Sequence, residues 1–242
     1  MKPRCFGRML AGTATLAALL VTAGSLHARG QLQTRQTGVD LPAGARAGRL
    51  VLANSGDAPV AAQIRVYVWT QENGEDRLEP ADDLVVSPPI VEIPAAGEQL
   101  VRLVRPDATA PVRELAYRVV VDELPGDTDT ADNAVAVRMR FLIPAFIRAA
   151  DPAPTDLHCR IAISTLVCEN RGGRAAQLGA TELLDAAGNT LQVSPGLLGY
   201  VLAGSSRSWP LPAEDLASLG PPRTLEVLLN GQSARISLRA EK

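Results

Sequence analysis

The sequence predicts an all-β chain folded as two β-sandwiches in tandem. Short apolar runs that alternate with polar residues recur between turn clusters, at sandwich spacing. No segment before residue 150 carries a sustained helical period with caps. A Pro-rich stretch, 149–154, separates two halves of the same style.

The chain opens on a segment with the layout of an export signal. Lys2, Arg4 and Arg8 form a basic region, an apolar run follows from Met9 to Val21, and small residues end it at Ala23, Gly24 and Ser25. Cleavage fits after Ser25 or after Ala28, and Ala28 is preferred. The apolar run is shorter than the ~20 residues a spanning helix needs, so residues 1–28 read as a signal and no membrane insertion is expected after cleavage.

From there the strands run in order. Residues 50–53 lead into the turn cluster 54–59, Asn-Ser-Gly-Asp-Ala-Pro. In the strand that follows, Ala62, Ile64, Val66 and Val68 share one face, while Gln63, Arg65, Tyr67 and Trp69 share the other. Residues 71–76 read as a polar loop. Residues 84–87 stop at Pro88-Pro89, which suits a sheet edge or a crossing between sheets. Strands at 90–93, 99–105 and 115–124 come next. An acidic loop, 127–133, then leads into 134–147. The sandwich of 29–148 is immunoglobulin-like, and 155–242 repeats its style after the linker 149–154. Asn230-Gly231 is a favoured hairpin signal there.

Composition narrows the function. Loss of residues 1–28 takes the formal net charge from −2 to −5, and no basic cluster with interleaved aromatics appears, so no nucleic-acid partner is expected. Cys159 and Cys168 are the two cysteines left. A hairpin disulfide between them fits an oxidising compartment, with two free buried thiols as the alternative. A pair is too few ligands for structural zinc. His158 is the one histidine outside the signal, and no Gly-x-Ser-x-Gly motif accompanies it. There is no dinucleotide fingerprint, phosphate-cradling loop or calcium-loop spacing. The expectation is a binding protein with no catalytic residue, cofactor or metal.

The stretch 134–147 carries the sharpest expectation. Val135, Val137 and Met139 point one way, and Ala136, Arg138 and Arg140 point the other. Its place at the end of a domain puts it at a sheet edge, and an apolar edge is a template for another chain.

Residues 46–147 resemble the first domain of periplasmic pilus-assembly chaperones of the chaperone–usher pathway, in the version of the spore-coat-like branch. The likeness rests on Leu52-Ala-Asn54, Val66-Tyr-Val-Trp-Thr-Gln71, Leu84-Val-Val-Ser-Pro-Pro-Ile90, Gln99-Leu-Val-Arg-Leu-Val-Arg105, Glu114-Leu-Ala-Tyr-Arg118, Asp122-Glu-Leu-Pro125 and Ile143-Pro-Ala-Phe146. The second half is similar through Asn170-Arg-Gly-Gly173 and 199–205. The resemblance implies a periplasmic protein that caps pilus subunits lacking a final strand by lending its own strand, then delivers them to an outer-membrane usher. It places the inserting row on Val135, Val137 and Met139, continued by Phe141. The family's basic pair for the subunit's C-terminal carboxylate aligns with Gly38 and Pro144, so Arg118, and after it Arg140, become the anchor candidates. It also implies a structural ion pair between Arg102 and Glu114. The rival reading is a secreted adhesive or structural surface protein such as a pilus subunit. Arg29 to Gly38 is too polar for the donor arm that reading needs.

Overall fold

The computed structural model describes residues 31–126 and 137–239. The predicted export signal 1–28, the acidic loop expected at 127–133, and Val135 lie outside the described residues. In chain order the first half contains β1 (Leu32–Thr34), β2 (Val39–Leu41), β3 (Ala47–Asn54), β4 (Val60–Glu72), β5 (Glu75–Pro80), β6 (Val85–Ser87), β7 (Ile90–Ile93), β8 (Glu98–Val104), β9 (Leu115–Glu123) and β10 (Arg140–Ile147). One sheet has the order β1-β3-β8-β6; the other runs β2-β10-β9-β4-β5, with β7 also on β4. The inward residues of both sheets make one core: Leu50, Leu52, Ile64, Val101, Leu103, Tyr117, Val119 and Ile143 are all buried.

The Pro88-Pro89 break does both things that its residues permit. Proline donates no ladder hydrogen bond, so β6 ends as the edge of the first sheet and β7 resumes in the second. The polar loop expected at 71–76 is instead a hairpin. β4 runs on to Glu72 and β5 starts at Glu75, joined by Asn73 and Gly74 at φ 53° and 79°. That is the two-residue turn an Asn-Gly pair favours. Every residue of β5 is exposed, so no apolar alternation marks it.

The second half contains β11 (Leu157–Ala162), β12 (Thr165–Asn170), β13 (Ala176–Asp185), β14 (Thr190–Ser194), β15 (Gly199–Val201), β16 (Ser206–Pro210), a five-residue helix α1 (Ala213–Ala217), β17 (Pro222–Leu229) and β18 (Gln232–Ser237). These form sheets β11-β12-β16 and β14-β13-β17-β18, with β15 on β13. They close over a second core that includes Leu166, Leu178, Leu183 and Leu225. Cys159 and Cys168 face each other across the β11–β12 ladder and are joined by a disulfide, with Cα atoms 4.1 Å apart. The turn between these strands falls on Ile163 and Ser164.

Two of the resemblance residues prove architectural. Asn54 is 2% exposed, and its amide donates to the carbonyls of Ala58, Ile93 and Pro94 while accepting from the Gly56 and Gln31 N–H groups. Asn170 repeats the device in the second half, donating to Arg174 and Val201 and accepting from Gly172 and Asp156. Each buried amide is thus satisfied and pins the turn that follows its strand.

Candidate functional site

β10 is the strand around which a site forms. On one side it pairs with β9 along its whole length, from Arg140↔Asp122 to Ile147↔Leu115. On the other side β2 pairs only with Ala145–Ile147. Among the described residues, the N-terminal half of β10 therefore has one neighbour and an open edge. The Glu123 N–H donates to the Met139 carbonyl. Antiparallel ladders alternate, so the N–H and C=O groups of Arg140 and Leu142 point away from β9. Pro144 falls at an outward position too, where its missing N–H costs the ladder nothing.

The side chains match this edge. Odd-numbered residues of β10 face the sandwich core: Ile143, Ala145 and Ile147 are buried. Ahead of them, Phe141 is half-buried against the core, Met139 is 40% exposed and Val137 is 78% exposed. Apolar side chains thus continue past the protein's own core into solvent. Val137 and Met139 precede the first residue of β10, Arg140, so of the three only Phe141 has its face fixed by the strand.

The outer face of the same sheet meets the second sandwich. Trp69 on β4, Phe146 on β10 and Tyr200 on β15 pack as a triangle, with ring centroids 5.4–6.2 Å apart. Arg118 on β9 lies among them, its Cζ 3.5 Å from the Trp69 centroid and 5.4 Å from that of Tyr200. No carboxylate forms an ion pair with Arg118 among the described residues. Burial pushes its guanidinium below the ordinary value, and the more distant Asp76 and Tyr200 act the other way. Burial likewise raises the Tyr200 phenol. A partly buried cation without a counter-ion is costly to keep.

Arg140 is engaged otherwise. It binds Asp122, which also takes Arg65 at 2.5 Å. Burial alone would raise the Asp122 carboxyl, but the hydrogen bonds from Arg65 and Arg140 outweigh it and hold it below the usual range. This three-residue bridge ties the start of β10 to β9 and β4.

The expected Arg102–Glu114 pair is corrected by the structure. Arg102 sits on β8, exposed, directly opposite Arg49. Glu114 is 7% exposed and pairs with Arg148, which also binds Asp40. Its other oxygen accepts the N–H of Ala175 from the second sandwich at 2.8 Å. Arg102 is outward on its strand, whereas Arg148 follows the buried end of β10, beside Glu114. Gln71 reinforces this junction, donating to the Tyr200 carbonyl and accepting from the Leu202 N–H. At the hairpin tip, a Cβ on Gly74 would lie 2.4 Å from Ser208 Oγ, so only glycine allows this approach.

Between the sandwiches lies a cleft of about 240 Å³, lined in part by Gly38, Pro144, Phe146, Arg148, Tyr200 and Asn230. The two positions aligned with a basic pair are therefore in the cleft, but neither brings a charge. Sequence reading missed the aromatic triangle. Its signal was scarcity: a chain with eight aromatic residues places three of them in one cluster.

The comparisons agree with one another. The family model described as pili and flagellar-assembly chaperone, PapD N-terminal domain, matches residues 31–152. No curated protein matches by sequence. A solved chain of the CsuC–CsuE chaperone–tip adhesion subunit pre-assembly complex, from archaic chaperone-usher Csu pili of Acinetobacter baumannii, is 20% identical at a TM-score of 0.67, covering 88% of this chain and 100% of that one. The Salmonella enterica complex of SafA pilin with the SafB chaperone contains a chain 18% identical at 0.63, over 87% and 96%. The E. coli chaperone DraB is 20% identical at 0.60, over 88% and 98%. At such identities the likeness to solved structures is one of fold.

Proposed function

The chain belongs to the pili and flagellar-assembly chaperone family, and from that premise we propose that it captures pilus subunits lacking a final strand by adding β10 and the residues before it to their sheet. Strand addition is a recognised mode of peptide binding, and chaperone–pilin complexes are a known instance of it. Outward backbone groups at Arg140 and Leu142 supply main-chain hydrogen bonds, and Val135, Val137, Met139 and Phe141 fill the subunit's apolar groove. Arg118 takes the subunit's C-terminal carboxylate, since a guanidinium offers paired donors to it. Arg140 is the weaker candidate because Asp122 already occupies it. The protein acts in the periplasm after loss of 1–28, with 149–154 joining a domain of 29–148 to one of 155–242, and passes its cargo to an outer-membrane usher.

One observation supports this reading: just ahead of β10, whose Ile143 is 3% exposed, Val137 is left 78% and Met139 40% exposed. A row of apolar side chains that leaves its own core unfinished is complementary to a groove that lacks one. The rival reading as a pilus subunit predicts a single incomplete sandwich, and the chain has two cores, each closed by two sheets.

The test is co-purification of the exported protein with its cargo. Val137→Asp abolishes capture while the free protein stays folded, because a carboxylate cannot enter an apolar groove unpaired. An unfolded variant places Val137 in the protein's own core and refutes the reading.

A further inference from the structure

Gly38 and Pro144 line the cleft without a side-chain donor, so the anchor needs its second hydrogen bond from elsewhere. Opposite Pro144 on β9, Arg118 packs with Trp69 and with Tyr200 of the cleft lining, and none of these three side-chain donors meets an acceptor among the described residues. Arg118 stacks on Trp69, with Tyr200 5.4 Å away. Trp69 Nε1 is buried without a hydrogen-bond partner. The Tyr200 hydroxyl makes no hydrogen bond among the described residues, although its carbonyl is held by Gln71. The nearby acids are taken: Asp76 by Gln71 and Arg207, Asp40 by Arg148. Such a cluster complements a carboxylate, an acceptor-only group.

We propose that Tyr200, reaching over from the second sandwich, donates the second hydrogen bond to the subunit's C-terminal carboxylate beside Arg118, while Trp69 is the positioning residue that fixes the guanidinium plane by stacking. The proposal rests on Arg118 being the anchor. With its phenol raised by burial, Tyr200 stays a protonated donor at neutral pH. Stacking on an indole face orients the guanidinium and leaves its edge free for the carboxylate. Because Arg118 and Tyr200 come from different sandwiches, a bound carboxylate also cross-links them, so cargo binding stiffens the junction that Gln71 and Glu114 begin.

The test uses the whole mature protein and a short synthetic apolar peptide in two forms, one ending in a free carboxylate and one in an amide, titrated by calorimetry. The wild type prefers the carboxylate. Tyr200→Phe keeps the aromatic packing and the affinity for the amide, but cuts the preference about tenfold, the share of one hydrogen bond to a charged group. Arg118→Gln abolishes the preference. Trp69→Leu weakens it and Trp69→Phe restores most of it. If Tyr200→Phe leaves the preference intact while Arg118→Gln removes it, the role of Tyr200 is overturned and the Arg118 anchor stands. If Trp69→Leu matches the wild type, the platform is overturned. If the wild type shows no preference, the anchor falls with the proposal, whereas capture through β10 is judged separately by Val137→Asp.

Discussion

Truncating Val137 to alanine measures how much of the apolar row is spent on cargo. Fully burying a valine contributes about 1.5–3 kcal/mol. In the free protein 78% of Val137 remains exposed, so capture has about 1.2–2.3 kcal/mol still to gain there. Val137→Ala removes both γ-methyls, each about 0.8 kcal/mol when buried; scaled by the exposed share, the loss is about 1.2 kcal/mol, or roughly eightfold in dissociation constant. Met139 is already 60% covered, so its truncation costs capture less and the free protein more. The assay pairs cargo affinity by calorimetry with thermal unfolding of the cargo-free protein. Val137→Ala moves the latter by no more than about 0.5 kcal/mol, the range of surface substitutions. Unchanged affinity combined with a stability loss of about 2 kcal/mol or more, the size of a core truncation, refutes the assignment.

Three other perturbations test the frame that presents β10. Glu114→Gln leaves Arg148 facing Asp40 alone and weakens the carboxylate's hold on Ala175; a buried pair broken on one side costs about 3–5 kcal/mol. It splits the thermal transition of the two sandwiches, and a single unshifted transition would count against the junction. Replacing Cys159 and Cys168 by serine opens a loop of sequence separation 9, which corresponds to about 2–3 kcal/mol and lowers the melting temperature of the second sandwich under oxidising conditions. A melting point insensitive to the change, or to reductant, refutes that role. Asp122 has a folded value below its unfolded one, so its contribution is present above the ordinary aspartate range, near 4, and is lost as pH falls through the lower folded value. Arg65 and Arg140 are exposed, so solvent screens each pair and keeps this contribution small. The protection of the Phe141 amide, its hydrogen-exchange rate taken relative to the intrinsic rate at each pH, falls over that acid range in the wild type and shows no such step in Asp122→Asn.

Alternation with period two settles which residues of a strand share a face, so the inward residues of β4 were legible in the chain itself, as were the all-β class, the Pro88-Pro89 break and the Cys159–Cys168 hairpin. The missed elements share a cause. β1 and β2 are three residues long, and β5 is exposed throughout, so none writes an apolar period. Side-chain pairing across the two sandwiches left no local trace either. Glu114 chose Arg148 over Arg102 because register turned Arg102 outward, and Arg118 acquired Trp69 and Tyr200 only once strands distant in sequence were stacked. Periodicity is a short-range property that one strand carries alone. Among the described residues, the open edge of β10 and the lack of an ion pair at Arg118 are properties of neighbours, present or missing, and only the assembled sheets determine those.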